Sequence, residues 1–227
     1  NTNGTLESAW NPNADNTVYT IIVNGSDILA GGGFTTIGGQ ARNFIAKLNN
    51  TDGAADPTWN PNADHYVFTI SISISNEIYA GGLFTSIGGQ IRNYIACLNN
   101  TNGSADPDWN PNANNIVNSI LVNFGEILVG GWFTTIGGQP RNYIAKLNDT
   151  DGSADLSWNP NANSFVYAIT LYGGGDIYVG GQFTSIGGQT RNRIAKLNNF
   201  NGSADPDWNP NADNTVFAIT VYASDIY

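Results

Sequence analysis

The 227-residue chain has no methionine, one cysteine, one histidine and only eight basic residues. A single thiol, Cys97, cannot make an internal disulfide, so no such staple holds the fold. With His65 as the one imidazole, no His–Ser–Asp or His–Cys grouping recurs, and a catalytic triad needs a positioned base. Eight Lys and Arg against 18 Asp and Glu leave a net charge of −10. That balance argues against nucleic acid, whose phosphates must be neutralised by basic side chains. No apolar run approaches the ~18 residues of a membrane helix, so no membrane insertion is expected. The opening residues N-T-N-G-T-L-E-S lack the basic and apolar parts of a signal peptide. No window shows helical periodicity, which points to an all-β chain. Apolar residues still make up 41%, enough to build a core.

What the chain does have is repetition. Ile28 to Leu48, I-L-A-G-G-G-F-T-T-I-G-G-Q-A-R-N-F-I-A-K-L, returns at Ile78 to Leu98, Ile127 to Leu147 and Ile177 to Leu197. Trp10, Trp59, Trp109, Trp158 and Trp208 mark a period of 49 or 50 residues, and each is followed by N-P-N-A. Such a period signals a repeat architecture. Four full repeats are expected, about 18–66, 67–116, 117–165 and 166–215, flanked by partial units at 1–17 and 216–227.

Each repeat reads as four short strands. The first is β-branched and aromatic, as in Val18-Tyr19-Thr20-Ile21-Ile22-Val23. Asn24-Gly25-Ser26-Asp27, or Gly173-Gly174-Gly175-Asp176, then makes a hairpin turn. The second strand, Ile28 to Phe34, carries a Gly pair that predicts close backbone approach or a bulge. The third is Phe44 to Leu48, and the fourth carries the Trp. Four short strands cannot bury their faces alone, so neighbouring repeats must stack. Radial stacking of four-stranded antiparallel blades is a β-propeller. Ile21, Ile70, Ile120, Ile169 and Ile219 are expected in its core, at roughly 1.5–3 kcal/mol each.

The run from Val166 to Pro210, with G-G-Q-F-T-S-I-G-G-Q-T-R-N-R-I-A-K-L-N-N-F-N-G-S-A-D-P-D-W-N-P at its heart, resembles the bacterial delta-60 repeat. The Gly pair is also similar, more loosely, to kelch repeats. The resemblance covers essentially the whole chain. It implies a β-propeller in large secreted or surface proteins of bacteria, with no catalytic residues, and hence an extracellular or cell-surface location.

Antiparallel connectivity puts the I-G-G-Q-x-R-N loop and the N-P-N-A connector on one face. That face should present Gln40, Arg42 and Asn43, Gln90, Arg92 and Asn93, Gln139, Arg141 and Asn142, and Gln189, Arg191 and Asn192. Arginines beside amides suit a sugar or a carboxylate. An Arg repeated in every unit is more readily explained by pairing with a repeated Asp (Asp56, Asp106, Asp155, Asp205) or with loop carbonyls, and that engagement is expected of all four. Trp132, at a position that varies between repeats, is a candidate for stacking on a sugar or for plain packing. Asn148 to Asp155 resembles the start of a calcium loop, but an Asx-Gly hairpin explains all four copies, so no metal or cofactor is expected.

The sequence therefore predicts a non-catalytic structural, adhesion or protein-interaction module whose partners are glycans or other surface proteins. A multivalent lectin is the alternative, and a carbohydrate-active enzyme using paired carboxylates such as Asp106 and Asp108 is a more distant one. Asn1 aligns with Asn50 and Tyr227 with Leu29. The chain is thus expected to be a segment of a larger ring, completed by further repeats of the same chain or by another copy.

Overall fold

A computed structural model describes residues 5, 7–173, 175–222 and 225–227. Gly174 of the fourth hairpin turn lies outside the described residues. Within them every regular element is a β-strand.

The first repeat sets the pattern. Val18–Asn24 pairs antiparallel with Asp27–Gly32, which pairs antiparallel with Ile45–Asn49. The same three-stranded order is built from Val67–Ile72, Ile78–Gly82 and Ile95–Leu98, then from Val117–Asn123, Glu126–Gly131 and Ile144–Asn148, then from Val166–Tyr172, Asp176–Gly181 and Ile194–Asn198. The loop between second and third strands holds a miniature hairpin that the sequence reading missed, Thr36–Ile37 against Gln40–Ala41. Its corner, Gly38-Gly39, has φ of 59° and 75°. That conformation suits the two-residue hairpin turns glycine favours.

The expected fourth strand survives only as an isolated bridge, Leu48 with Ala55 and its counterparts Leu98–Ala105, Leu147–Ala154 and Leu197–Ala204. Beyond the bridge the backbone turns instead of extending. Asp56 Oδ1 accepts from the Thr58 amide and hydroxyl, both at 2.8 Å, and Pro57 has no N–H to donate to a ladder. The Trp that follows leaves its own sheet. Trp59 Nε1 donates to the Asn99 carbonyl and Trp109 Nε1 to that of Asn148, each in the next repeat.

The Gly pair serves two approaches at once. A Cβ on Gly81 would lie 2.6 Å from Val117 Cγ1 and 3.0 Å from Ile120 Cδ1, both on the first strand of the following repeat. A Cβ on Gly82 would meet the Tyr66 carbonyl at 2.1 Å, inside its own hairpin. The bulge lies opposite the pair, on the first strand, where register shifts between Val67 and Thr69. Gly31, Gly130 and Gly180 receive Val67 with Ile70, Val166 with Ile169, and Val216 with Ile219 in the same manner.

The core accordingly sits between repeats. One cluster joins Tyr79, Ile95, Cys97 and Trp109 of the second repeat to Val117 and Ile120 of the next unit. Ile70, Ile120 and Ile169 are 6–8% exposed, as expected. Ile21 and Ile219 depart from expectation. Ile21 is 59% exposed because no described repeat offers it a Gly face, and Ile219 is half-buried although Gly180 receives it.

Candidate functional site

The connector from one repeat to the next is a joint rather than a loose loop. In Asn60-Pro61-Asn62-Ala63 the two asparagines are exposed and the proline and alanine are buried. The Pro61 carbonyl accepts from the Gly88 amide at 2.7 Å, which ties the connector to the corner of the following miniature hairpin. Asp64 then caps that loop, accepting from the Thr85 amide and hydroxyl and the Ser86 amide. Asp15 does the same for Thr35 and Thr36, and the Thr35 hydroxyl, seconded by the two amides, holds its carboxyl down at about 2. Asn114 and Asn163 fill the role in later repeats. His65 stands where other copies have Asn16 and Asn115, and its Nδ1 accepts the next backbone amide as their Oδ1 atoms do. It also stacks on Phe44.

The repeated arginines lie beneath this face. Arg42, Arg92, Arg141 and Arg191 are only 5–6% exposed. Each guanidinium donates to the carbonyl of the preceding residue and to a carbonyl in its own repeat, that of Asp56, Asp106, Asp155 or Asp205. The acceptors are backbone carbonyls rather than the Asp carboxylates. Burial pulls the Arg141 guanidinium below its ordinary value, with Asp155 opposing the shift. Asn43, Asn93, Asn142 and Asn192 are likewise engaged, each donating Nδ2 to Asn62, Asn112, Asn161 or Asn211 of the connector. Those acceptor asparagines all have positive φ, between 51° and 58°. Arg and Asn therefore act as struts that lock the loop to the connector.

The glutamines behave differently. Gln40 is engaged by Ala55 and Arg42. Among the described residues, the side chains of Gln90, Gln139 and Gln189 make no hydrogen bond within the chain, and neither do those of Asn60 and Asn159, although the glutamine backbones pair in the miniature hairpins. Two of these glutamines border grooves between a connector and the following hairpin. One, of about 530 Å³, runs between Asn159-Pro160-Asn161 and Ser185, Gln189 and Thr190. The other, of about 460 Å³, repeats it with Asn60, Ser86 and Gln90. Their polar lining is amide and hydroxyl, with no charged side chain.

An aromatic cluster on the same end of the sheets went unrecognised in the sequence. Trp132 is packed face to face on Phe165, 4.5 Å between centroids at 15°, and Tyr143 meets Phe165 edge-on. Tyr66 covers Gly33 and touches Phe44 and Phe68, and Tyr19 meets Phe68 at 5.3 Å. Tyr19, Phe68 and Tyr167 are the residues at the first-strand bulges. The signal was available: these positions share one phase of the 49–50-residue period, and bulges re-aim side chains.

Groups of three or more His, Cys, Asp or Glu placed to hold a metal are absent among the described residues. In the calcium-like stretch, Asn148 Oδ1 accepts from Thr150 and Asp151 Oδ1 from Ser153, the pattern of Asx turns. Cys97 is buried, and burial, then Glu77 and Asp106, push its thiol up to about 12. A thiol held protonated is a poor nucleophile.

A family described as a domain of unknown function (DUF5122) beta-propeller matches residues 27–58, 75–108, 125–157 and 175–207, together more than half of the chain. Each match runs from the first hairpin to the residue before a Trp. No curated protein matches the sequence. Among solved structures, the WD40 β-propeller domain of Doa1 is similar with a TM-score of 0.61 and 16% identity, over 92% of this chain and 59% of that one. The extracellular domain of BT4673 from B. thetaiotaomicron gives 0.53 and 15% over 89% of this chain and 24% of that one. The computationally designed Ika8 protein gives 0.56 and 8% over 96% and 70%. At these identities the likeness shows the fold alone, and the chain spans about 59% of the Doa1 domain's length.

Proposed function

This chain belongs to the DUF5122 β-propeller family, and on that premise we propose that it serves as a non-catalytic interaction or adhesion module, extracellular or on a cell surface. The observation that carries the reading is the unspent amides of the connector face. Gln90, Gln189, Asn60 and Asn159 border repeated grooves, while the arginines below them are buried with both terminal nitrogens donating to carbonyls of the fold. A repeated array of neutral donors and acceptors suits recognition by many weak contacts, which gain strength when several engage together. The extracellular neighbour from B. thetaiotaomicron is compatible with the location, as is the delta-60 resemblance. Among the described residues no helix is long and apolar enough to cross a membrane.

Carbohydrate is the second reading, favoured by the uncharged lining of the grooves. Partners would then be surface glycans. The exposed Ile21 face is the counterpart of faces that Gly31, Gly81 and Gly130 cover elsewhere. A further repeat of the same kind, from this chain or another copy, fits it.

Binding of the purified chain to arrays of glycans and of extracellular proteins tests the proposal. Losing the Gln90 and Gln189 amides together removes about 1 kcal/mol per contact, so Gln90→Ala/Gln189→Ala should weaken a captured ligand on the order of ten-fold or more. Its melting temperature should not change. Undiminished binding by that folded variant, or turnover of a polysaccharide by the wild type, would overturn it.

A further inference from the structure

The third strand of each repeat carries a lysine at one phase, Lys47, Lys146 and Lys196, with Cys97 in the second repeat. Lys146 is 4% exposed, beneath the ring of Trp158 at 5.5 Å. Its Nζ donates to Glu126 Oε1 at 2.9 Å and to the backbone carbonyl of Asn199, in the next repeat, at 2.6 Å. The side-chain Nδ2 of Asn199 donates to the other oxygen of the same carboxylate, Glu126 Oε2, at 3.1 Å. Asn199 Oδ1 is buried and accepts nothing. Buried polar atoms are ordinarily paired, so an orphan of this kind calls for a reason.

We propose that Lys146 and Asn199 join in an intramolecular isopeptide bond, with Glu126 as the catalytic proton carrier. The two nitrogens that an amide exchange trades sit on the two oxygens of one carboxylate. Glu126 takes a proton from the Lys146 ammonium, freeing the lone pair on Nζ to attack Cγ of Asn199. The Cγ–Nδ2 bond breaks as Glu126 returns its proton to Nδ2. Ammonia leaves with the second proton shed by Nζ, as ammonium. An ammonium and a carboxamide thus become a secondary amide and an ammonium ion. Glu126 ends unchanged, and no oxidant or water enters. Burial of Lys146 and the placing of both nitrogens on one carboxylate supply the pre-orientation that such a step needs.

The other repeats provide internal comparisons. Lys47 also donates to the carbonyl of the residue 53 positions on, Asn100, whose Oδ1 is likewise buried without a partner. Its carboxylate is the shorter Asp27, 3.8 Å from Nζ and making no hydrogen bond to the Asn100 amide. That site lacks the bridge to the leaving nitrogen and is assigned no bond. In the second repeat the lysine is Cys97 and the matching residue ahead is Asp149, so amine and carboxamide are lost together. The bond would clamp the third repeat to the fourth covalently, in a chain with no disulfide available.

Intact-mass spectrometry of the folded chain tests this. The wild type should weigh one ammonia less than its sequence, and digestion should yield a branched peptide joining Lys146 to Asn199. Glu126→Gln, which keeps shape but cannot carry the proton, should return to the full sequence mass with an unchanged circular-dichroism spectrum. Asn199→Ser, which removes the carboxamide, should do the same and serves if the first variant fails to fold. A wild type of full sequence mass would overturn the proposal. So would an ammonia loss that persists in Glu126→Gln, the mark of ring closure at an Asn-Gly pair such as Asn201-Gly202.

Discussion

Gly131→Val is expected to destabilise the chain by about 3 kcal/mol, the upper range for overpacking. In a protein of this size that is a fall in Tm on the order of 10 °C. The reason is local. A Cβ at Gly131 would lie 2.2 Å from the Ile116 carbonyl oxygen, which already accepts from the Trp132 amide at 2.8 Å. Backbone cannot rotate away as a side chain can, so the hairpin must open and Trp132 must shift off Phe165. Gly138→Ala is the control. Nothing lies within 4 Å of its Cβ, and only the left-handed backbone, φ 73°, is strained, at about 1–2 kcal/mol. Thermal unfolding of the two variants side by side separates these causes, and equal losses would contradict the close-approach account.

Trp158→Ala should cost still more, about 3–5 kcal/mol, as large-to-small core changes at tryptophan do. Trp158 is 0% exposed. Its Nε1 donates to the Asn198 carbonyl of the next repeat at 3.1 Å, and Lys146 caps its ring. Removing the indole leaves a cavity at an interface between repeats and takes one of two donors from the Asn198 carbonyl, which also accepts from the Gly202 amide at 2.9 Å. Trp10, which makes the same hydrogen bond to Asn49 but is only half-buried, should lose less on the same change. Urea unfolding midpoints order the two. A Trp158→Ala midpoint no lower than that of Trp10→Ala would show that the inter-repeat seam does not carry the stability.

The repeat, the hairpins and the stacking were legible in the sequence because each has a local chemical cause. Gly pairs, Asx-Gly corners and β-branched runs state their backbone requirements in a few residues. The fourth strand was misjudged because its Pro57 and the Asp56 turn compete with extension, a contest that spacing does not reveal. Burial of Ile21 was misjudged for another reason. Its periodicity matches Ile70, but burial depends on a neighbour, and no pattern within the strand records whether that neighbour is there. At the connector face, the motif Q-x-R-N was found but its division of labour was not. Arg42 and Asn43 turn inward to carbonyls and connector amides, whereas Gln90 and Gln189 remain available, and only the three-dimensional joint distinguishes them. The Lys146–Glu126–Asn199 arrangement spans two repeats, with Asn199 73 positions after Glu126. Nothing at short range announces it.

Each repeat is completed by the one before it, and that stacking fixes the connector face and its grooves. Native-state hydrogen exchange reads this residue by residue. The Ile120 amide donates to Thr69 Oγ1 and the Ile169 amide to Ser119 Oγ, each in the preceding repeat. Among the described residues the equivalent Ile21 amide bonds to no other repeat, and it lies on a strand whose outward side chains are 48–68% exposed. Slow exchange at Ile120 and Ile169 with fast exchange at Ile21 is the predicted result. Protection of all three alike, or rapid exchange at Ile120 and Ile169, would contradict the account.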